Sequence, residues 1–201
     1  MSARAILAGG RRLGGDVGGT VSVEFAVLLP VLLTLFFGCY ETSNFLLAVL
    51  KVNDAAQTVA DLVAQTQSGY TLEQNTKSSP PQTDFTNFTS VVTAVMAPLS
   101  TTTVKVAYAS IVYSTASPTI DWHYEYNGAT AISIGSLPAN LGINGSSTDS
   151  VIVVTVQYTY ASPISYVLHS TYPLSETAYD RPRYANCIPG GTGTNSNSIC
   201  P

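Results

Sequence analysis

One long apolar run limits what this chain can fold into. Residues 20–40 read TVSVEFAVLLPVLLTLFFGCY, and Glu24 is their one charged side chain. A helix rises about 1.5 Å per residue, so about twenty residues cross the roughly 30 Å hydrocarbon core of a bilayer. The run therefore predicts a transmembrane helix, which separates a short N-terminal leader from a much longer C-terminal part.

The leader predicts which way that helix crosses the membrane. Residues 1–19 carry three arginines against the single Asp16, and six of the nineteen are glycines. Such a segment has little apolar surface to bury, so we do not expect it to fold. Basic residues favour the cytoplasmic side of a membrane. The leader is therefore predicted to be cytoplasmic, and everything after about Tyr40 to lie on the opposite side.

Glu24 needs its own explanation, because a carboxylate inside a membrane segment costs about 3 kcal/mol on insertion scales. One interpretation is that it lies close enough to the cytoplasmic interface to stay hydrated, and its position alone does not decide against this. The context favours another interpretation. Gly19 lies five residues before Glu24, a basic leader precedes it, and an apolar stretch follows.

This arrangement resembles the prepilins of the type IV pilin-like families. In those families a membrane peptidase cuts after a glycine, and the mature helix carries glutamate as its fifth residue. The resemblance implies that Gly19, Thr20 and Glu24 form a processing site, with the cut between Gly19 and Thr20. It assigns Thr20, Glu24 and Phe25 to subunit assembly, because the new α-amine of Thr20 can pair with Glu24 of a neighbouring subunit and neutralise both buried charges.

Two segments resemble one family in particular. Residues 19–33, GTVSVEFAVLLPVLL, look like the opening of TadE-like proteins of the tight-adherence (Tad or Flp) type IV pilus system, and residues 178–183, AYDRPR, look like that family's terminal Arg-Pro-Arg segment. The resemblance implies a minor pilin or pseudopilin that is a substrate of the prepilin peptidase, takes part in pilus assembly and serves adhesion or surface attachment.

The same resemblance implies a location and a set of partners. The chain is expected to be a single-pass protein of the bacterial inner membrane with a periplasmic head, and to be able to enter the extracellular pilus. Its expected partners are other pilins and pseudopilins, the inner-membrane assembly platform, the prepilin peptidase and the lipid bilayer.

The first helix is expected to continue beyond the membrane. After Leu50, polar and apolar residues recur at spacings of three and four, which is typical of an amphipathic helix. The predicted polar stripe is Lys51, Asp54, Thr58, Asp61 and Gln65, and the apolar stripe is Val52, Ala56, Val59 and Val63. A shorter helix is predicted over residues 84–97, with an apolar face of Phe85, Phe88, Val92, Val95 and Met96.

Strand patterns dominate the remainder of the chain, starting at Thr103. Over residues 120–126, one predicted face holds Ile120, Trp122, Tyr124 and Tyr126, and the other, solvated face holds Asp121, His123 and Glu125. Asn127-Gly128 is predicted to turn this strand back into residues 131–134. Further strands are predicted at 151–160 and 176–184. The predicted class is α+β: a long N-terminal transmembrane and amphipathic helix, a small helix and an antiparallel β-sheet head, as in pilins.

Four segments follow from these patterns. They are the cytoplasmic, basic, glycine-rich leader (1–19), the transmembrane and amphipathic helix (20–67), the periplasmic α+β head (68–186) and a disulfide-closed tail (187–201).

The three cysteines divide unevenly along the chain. Cys187 and Cys200 flank a tail rich in Pro, Gly, Asn and Ser, and they are the natural disulfide pair in an oxidising compartment. Two unpaired thiols are the alternative. Cys39 lies in the apolar run and is predicted to be a helix-packing residue. A lipoprotein signal at Gly38-Cys39 is the less favoured interpretation.

No catalytic chemistry is predicted. Charged residues make up only 10% of the chain and its net charge is -4, so a nucleic-acid-binding surface is not expected. Neither His123 nor His169 has a metal-ligand spacing with Cys, Asp or Glu, and the pair Asp121 and His123 lacks a third ligand. We therefore expect no metal, no cofactor and no enzyme activity. The rival hypothesis is a membrane-anchored or lipoprotein-type periplasmic binding protein with a Tyr-rich, ligand-binding head.

Overall fold

An α-helix of 48 residues, α1 (Val17–Ala64), begins the part of the chain that the structure describes. The computed structural model describes residues 17–65, 84–113, 117–138, 141, 149–184 and 186–188. These residues also form a second helix and four strands: α2 (Asp84–Met96), β1 (Lys105–Tyr113), β2 (Pro118–Tyr126), β3 (Asp149–Ala161) and β4 (Thr171–Asp180). A short 3₁₀ helix covers Ile134–Ser136. The predicted α+β class is confirmed.

The two halves of α1 have different surroundings. The large apolar side chains between Val21 and Phe36 are exposed. From Ala48 onward, a stripe at three- and four-residue spacing is fully buried: Ala48, Val52, Ala55, Ala56, Val59, Ala60 and Val63. This stripe packs on α2, β3 and β4. The predicted amphipathic continuation is therefore confirmed. Ser68 and Gly69, which are predicted to end the helix, lie outside the described residues.

The four strands form one antiparallel sheet in the order β2-β1-β3-β4. The central strands β1 and β3 pair along their length, from Lys105 with Gln157 to Tyr113 with Asp149. β4 is an edge strand, which is why it tolerates Pro173: the outer side of an edge strand needs no N–H donor for a ladder.

The last strand lies earlier in the chain than predicted. β4 runs from Thr171 to Asp180, not over residues 176–184. Its first half alternates between exposed and half-buried residues and therefore lacks a clear apolar signal. Its end is set by the following residues, which leave the sheet: the backbone N–H of Arg183 donates to the carbonyl oxygen of Ala64 on α1 at 2.9 Å.

An aromatic cluster fills the space between α2 and the sheet. The ring of Phe85 is fully buried. The centroids of four other rings lie 4.8 to 6.4 Å from its own, and they belong to Tyr124, Tyr108, Trp122 and Phe88. Such tilted and edge-to-face contacts stabilise aromatic cores beyond the area they bury. The predicted apolar face of α2 is confirmed.

The predicted turn at Asn127-Gly128 forms, but the strand predicted after it does not. Both residues have positive φ angles, 56° and 67°, as a tight hairpin turn requires. Residues 131–133 nevertheless belong to no strand, and a 3₁₀ helix follows them. The prediction of a returning strand over 131–134 is therefore wrong.

The residues after the turn cover the face of the sheet that points away from the helices. The backbone N–H of Thr130 donates to the side-chain oxygen of Gln157 on β3 at 3.2 Å. Further along, Ile132, Leu137 and Leu141 pack on a second apolar cluster made of Ile111, Tyr113, Val151 and Val153. Burial of this cluster explains why the segment crosses the sheet instead of extending its edge.

The environment of Asp121 also differs from the prediction. It is predicted to be solvated, but it is fully buried. The register of β1 and β2 shifts between Ser110 and Ile111, so that Ser110 pairs with Trp122 and Ile111 with Ile120. Asp121 therefore lies opposite the irregularity, beside the second apolar cluster. The prediction fails because it assumes that only one face of the sheet is covered.

The aromatic cluster predicts a large and position-specific loss of stability. Phe85→Ala should lower the free energy of unfolding by about 3–5 kcal/mol, because it removes a fully buried ring. Phe88→Ala is the matched control, since Phe88 lies on the same helix but is only half-buried. Denaturant unfolding of the detergent-solubilised protein, followed through the fluorescence of Trp122, measures both. Equal losses in the two variants would contradict the packing described.

Candidate assembly and anchor site

The first half of α1 is a candidate anchor. The helix is long and apolar enough to cross a membrane, judged by length and composition, and none of its most apolar window is buried within the chain. A soluble helix with this much exposed apolar surface would be costly in water. The helix therefore fits a membrane-anchored protein.

The predicted processing residues lie in the first turns of α1. Gly19, Thr20, Glu24 and Phe25 all belong to the helix. Glu24 is exposed, and the side chain of Phe25 is 57% exposed. A Cβ added to Gly19 would meet no atom within 4 Å. The pairing between subunits and the cut itself stay predictions.

A second glutamate on α1, which the sequence reasoning missed, has an unusual environment. Glu41 is fully buried at the point where α1 meets the head. Its Oε1 accepts the backbone N–H of Tyr166 at 2.6 Å, and its Oε2 accepts those of Val167 and Leu168, both at 2.7 Å. Because an ionised carboxylate only accepts hydrogen bonds, three N–H donors favour its charged form.

The signal for Glu41 is present in the helix periodicity. The buried stripe of α1 includes Ala48, Val52 and Val59. Seven residues before Ala48, which is two helical turns, the same face reaches Glu41. A glutamate on a buried face needs compensating donors. Its donors lie 125 to 127 residues away in the chain, so their identity cannot be read from the sequence.

The Glu41 contacts hold the β3–β4 loop (residues 162–170) against the end of the apolar run. The rings of Phe37 and Tyr166 have centroids 5.8 Å apart. A Cβ added to Gly38 would lie 3.8 Å from Cγ2 of Val167. The loop and the last turn of the apolar run therefore form one continuous surface.

The Arg-Pro-Arg segment holds the other end of α1. The guanidinium of Arg183 pairs with the carboxylate of Asp61, and its backbone N–H donates to the carbonyl oxygen of Ala64. Arg181 lies 3.5 Å from the carboxylate of Asp149 and donates to the carbonyl oxygen of Leu141 at 3.1 Å. Both arginines lie beyond the last strand, and each pairs with a carboxylate of another element.

Apolar side chains of α1 are also exposed on the C-terminal side of Glu41. Leu46, Leu47 and Leu50 are 56%, 40% and 51% exposed, although the adjacent Ala48 is buried against the head. Side chains at these positions point away from the buried stripe. The helix thus presents an exposed apolar surface that extends past the apolar run into the part that packs on the head.

The remaining candidates for chemistry have structural roles. Nδ1 of His123 lies 2.7 Å from Oε1 of Glu125. Among the described residues, no group of three or more His, Cys, Asp or Glu side chains is placed to hold a metal ion. Tyr108, Tyr158 and Tyr160 are buried in the core, and burial raises the pKa of Tyr108 well above its usual range. A ligand-binding role for the tyrosines of the head is therefore not favoured.

The cysteines are only partly described. Cys39 is free and exposed, so it does not pack against the core of its own chain, as a helix-packing residue within one molecule would. Cys187 is 9% exposed and precedes the fully buried Ile188. Cys200 lies outside the described residues, so the Cys187–Cys200 bridge stays a prediction.

Removing the charge of Glu41 should loosen the β3–β4 loop. In Glu41→Gln, one carboxylate oxygen becomes an NH₂ donor that faces backbone N–H groups, so at least one of the three donors loses its acceptor. We expect faster hydrogen exchange at the amides of Tyr166, Val167 and Leu168 and a lower melting temperature. Glu176→Gln, a half-buried glutamate on β4, is the control. Unchanged exchange in Glu41→Gln would contradict the role assigned to the carboxylate.

Comparison with known proteins agrees with the anchor. The family model described as TadE-like protein matches residues 19–61, which run from the predicted cut site through most of α1. No curated protein and no solved structure matches the chain. The match does not reach residues 178–183, whose resemblance to the family stays a prediction. Over residues 19–61 the predicted resemblance to TadE-like proteins is confirmed, and this match supports a relation of the chain to the Tad pilus system.

Proposed function

We propose that the chain is a minor pilin or pseudopilin that is cut between Gly19 and Thr20 and assembles with other pilins of a Tad pilus through α1. One observation carries the proposal. Apolar side chains of α1 are exposed from Val21 to Phe36 and again at Leu46, Leu47 and Leu50, and Glu24 lies among the first of these. Such a surface needs lipid before assembly and apolar helices of other subunits after it.

The length of that surface favours helix partners in addition to lipid. A bilayer core accounts for about twenty residues of α1, up to about Tyr40. Leu46, Leu47 and Leu50 lie beyond this limit and are still exposed. Packing against the helices of neighbouring subunits would bury them, as it would bury Phe25 near the other end.

The charge at Glu24 supplies the register in this proposal. A new α-amine on Thr20 of one subunit pairs with Glu24 of the next and neutralises both charges in an apolar bundle. The leader stays on the cytoplasmic side of the bacterial inner membrane until the cut, and the head lies in the periplasm. Adhesion or surface attachment then depends on the head as displayed by the pilus, and the other pilus components and the assembly platform are the partners.

The binding-protein hypothesis is the less favoured alternative. Tyr179 is the one tyrosine that lines a concavity of about 420 Å³ between α1 and β4. A concavity of about 220 Å³ on the outer face is lined mostly by small and polar residues, with Tyr179 as its one tyrosine. Mass spectrometry of the mature N-terminus separates the hypotheses. A start at Thr20 supports the pilin, an acylated Cys39 a lipoprotein, and an intact Met1 a plain signal anchor.

Blocking the cut should leave a longer protein. Gly19→Leu should accumulate a precursor that retains residues 1–19, because the peptidase is expected to require glycine at that position. The space around Gly19 is open in this chain, so loss of folding does not explain the effect. Ser22→Leu places the same bulk one turn further along the exposed anchor and is the control. Immunoblotting and mass spectrometry measure the product, and normal processing of Gly19→Leu would contradict the proposed cut.

Removing the carboxylate of Glu24 should impair assembly without preventing membrane insertion. Loss of one partner from a buried charge pair costs about 3–5 kcal/mol, which corresponds to a fall of at least about a hundredfold in incorporation of Glu24→Ala. Glu176→Ala in the head is the control. The amounts of the protein in sheared pili and in the membrane fraction are compared by immunoblotting. Unchanged piliation with Glu24→Ala would count against the pairing.

A further inference from the structure

We propose that the β3–β4 loop is a second membrane contact, which lies in the lipid headgroup region beside α1 and seats the head on the bilayer. The inference rests on insertion of α1 as proposed above. It goes beyond that proposal, because a membrane-spanning α1 does not by itself require any part of the head to contact lipid.

The loop contacts α1 near the point where the helix is expected to leave the membrane. Tyr166 contacts Phe37, and Val167 lies beside Gly38. Phe37 is 17 residues beyond Thr20, or about 26 Å along the helix. A helix that enters the hydrocarbon core near Thr20 therefore leaves it within a turn of this contact. The loop is therefore held at the depth of the periplasmic surface of the membrane that α1 crosses.

The surface chemistry of the loop fits that depth. Ile164, Tyr166 and Val167 are 44%, 51% and 48% exposed. No Asp, Glu, Lys or Arg occurs in residues 162–170. On α1, the neighbouring Tyr40 is 44% exposed. Exposed tyrosines at the boundary of the hydrocarbon core are characteristic of membrane interfaces, where the ring meets acyl chains and the hydroxyl meets headgroups.

Backbone N–H groups of the loop have hydrogen-bond acceptors within the chain, as an environment with little water requires. An unsatisfied N–H group near lipid costs several kcal/mol, so loops that approach a membrane need internal acceptors. Here Glu41 accepts the N–H groups of Tyr166, Val167 and Leu168, and the Ser162 hydroxyl accepts that of Ser165 at 3.3 Å. Four consecutive amides are thus satisfied within the chain.

The adjoining turn of α1 shows the same internal satisfaction. Thr42, Ser43 and Asn44 each donate a side-chain hydrogen bond to the carbonyl oxygen four residues earlier, all at 2.8 Å. These polar side chains need no water for those donors. Together with the loop, which lacks Asp, Glu, Lys and Arg, they allow the junction to touch lipid at little cost, which is why we assign the surface to lipid and not to a second copy of the chain.

Spin-label depth measurements on the full chain in nanodiscs test the inference. Cys39→Ala removes the free, exposed cysteine. A new cysteine is then labelled at Ile164, Leu29 or Tyr184 without reductant, and the Cys39→Ala parent gives the background label at Cys187 and Cys200. Tyr184 is the matched control, because it is 64% exposed but lies next to Arg183, at the far end of the head-packed part of α1. Collisions of each label with oxygen, which concentrates in lipid, are compared with collisions with a water-soluble nickel chelate.

The expected result is an oxygen preference at Leu29 and Ile164 and a nickel preference at Tyr184. Lipid at Leu29 with nickel preference at both head positions would overturn the loop contact and leave the anchor intact. Nickel preference at Leu29 would overturn the anchor and this inference together. Shielding of the Ile164 label from the nickel chelate that occurs only in nanodiscs holding several copies would assign the surface to a second chain. It would overturn the inference as well.

Discussion

One helix in this protein serves two environments, and the carboxylate of Glu41 lies where they meet. Below it, α1 exposes apolar side chains on all sides. Above it, one stripe of α1 is buried against the sheet and α2. A charged group at this boundary would be costly without partners, and three backbone N–H groups of the β3–β4 loop supply them. The head is thereby positioned directly at the end of the apolar run.

The features that can be predicted from the sequence depend on local periodicity. The apolar run, the stripe from Val52 to Val63 and the apolar face around Phe85 each recur at helical spacing within one segment, so one window of sequence contains the whole pattern. The alternation around Trp122 likewise predicts a strand. The family resemblance of residues 19–33 depends on the same local run, which is why the amino-acid sequence alone is enough to recognise it.

The features that sequence reasoning missed depend on contacts between distant segments. Glu41 finds its donors more than 120 residues later in the chain. Asp121 is fully buried, and Ile132, Leu137 and Leu141 pack on the second apolar cluster of the sheet. Such sparse apolar residues do not form a periodic pattern. The start of β4 is hard to predict because an edge strand with one half-exposed face has weak alternation. The predicted processing residues can be named from the sequence, but the proposed cleavage and pairing involve other molecules and are not properties of one chain.

The attachment of the head to α1 at two separated points has a mechanical consequence. Glu41 binds the β3–β4 loop near the apolar run, and Asp61 with Ala64 binds Arg183 twenty residues further along, a separation of about 30 Å. Between them the buried stripe of α1 lies along β3 and β4. A pull along the helix axis therefore loads these contacts in parallel, as a shear, instead of peeling them apart one after another. Traction on the N-terminal half of α1 would draw the head along as a unit.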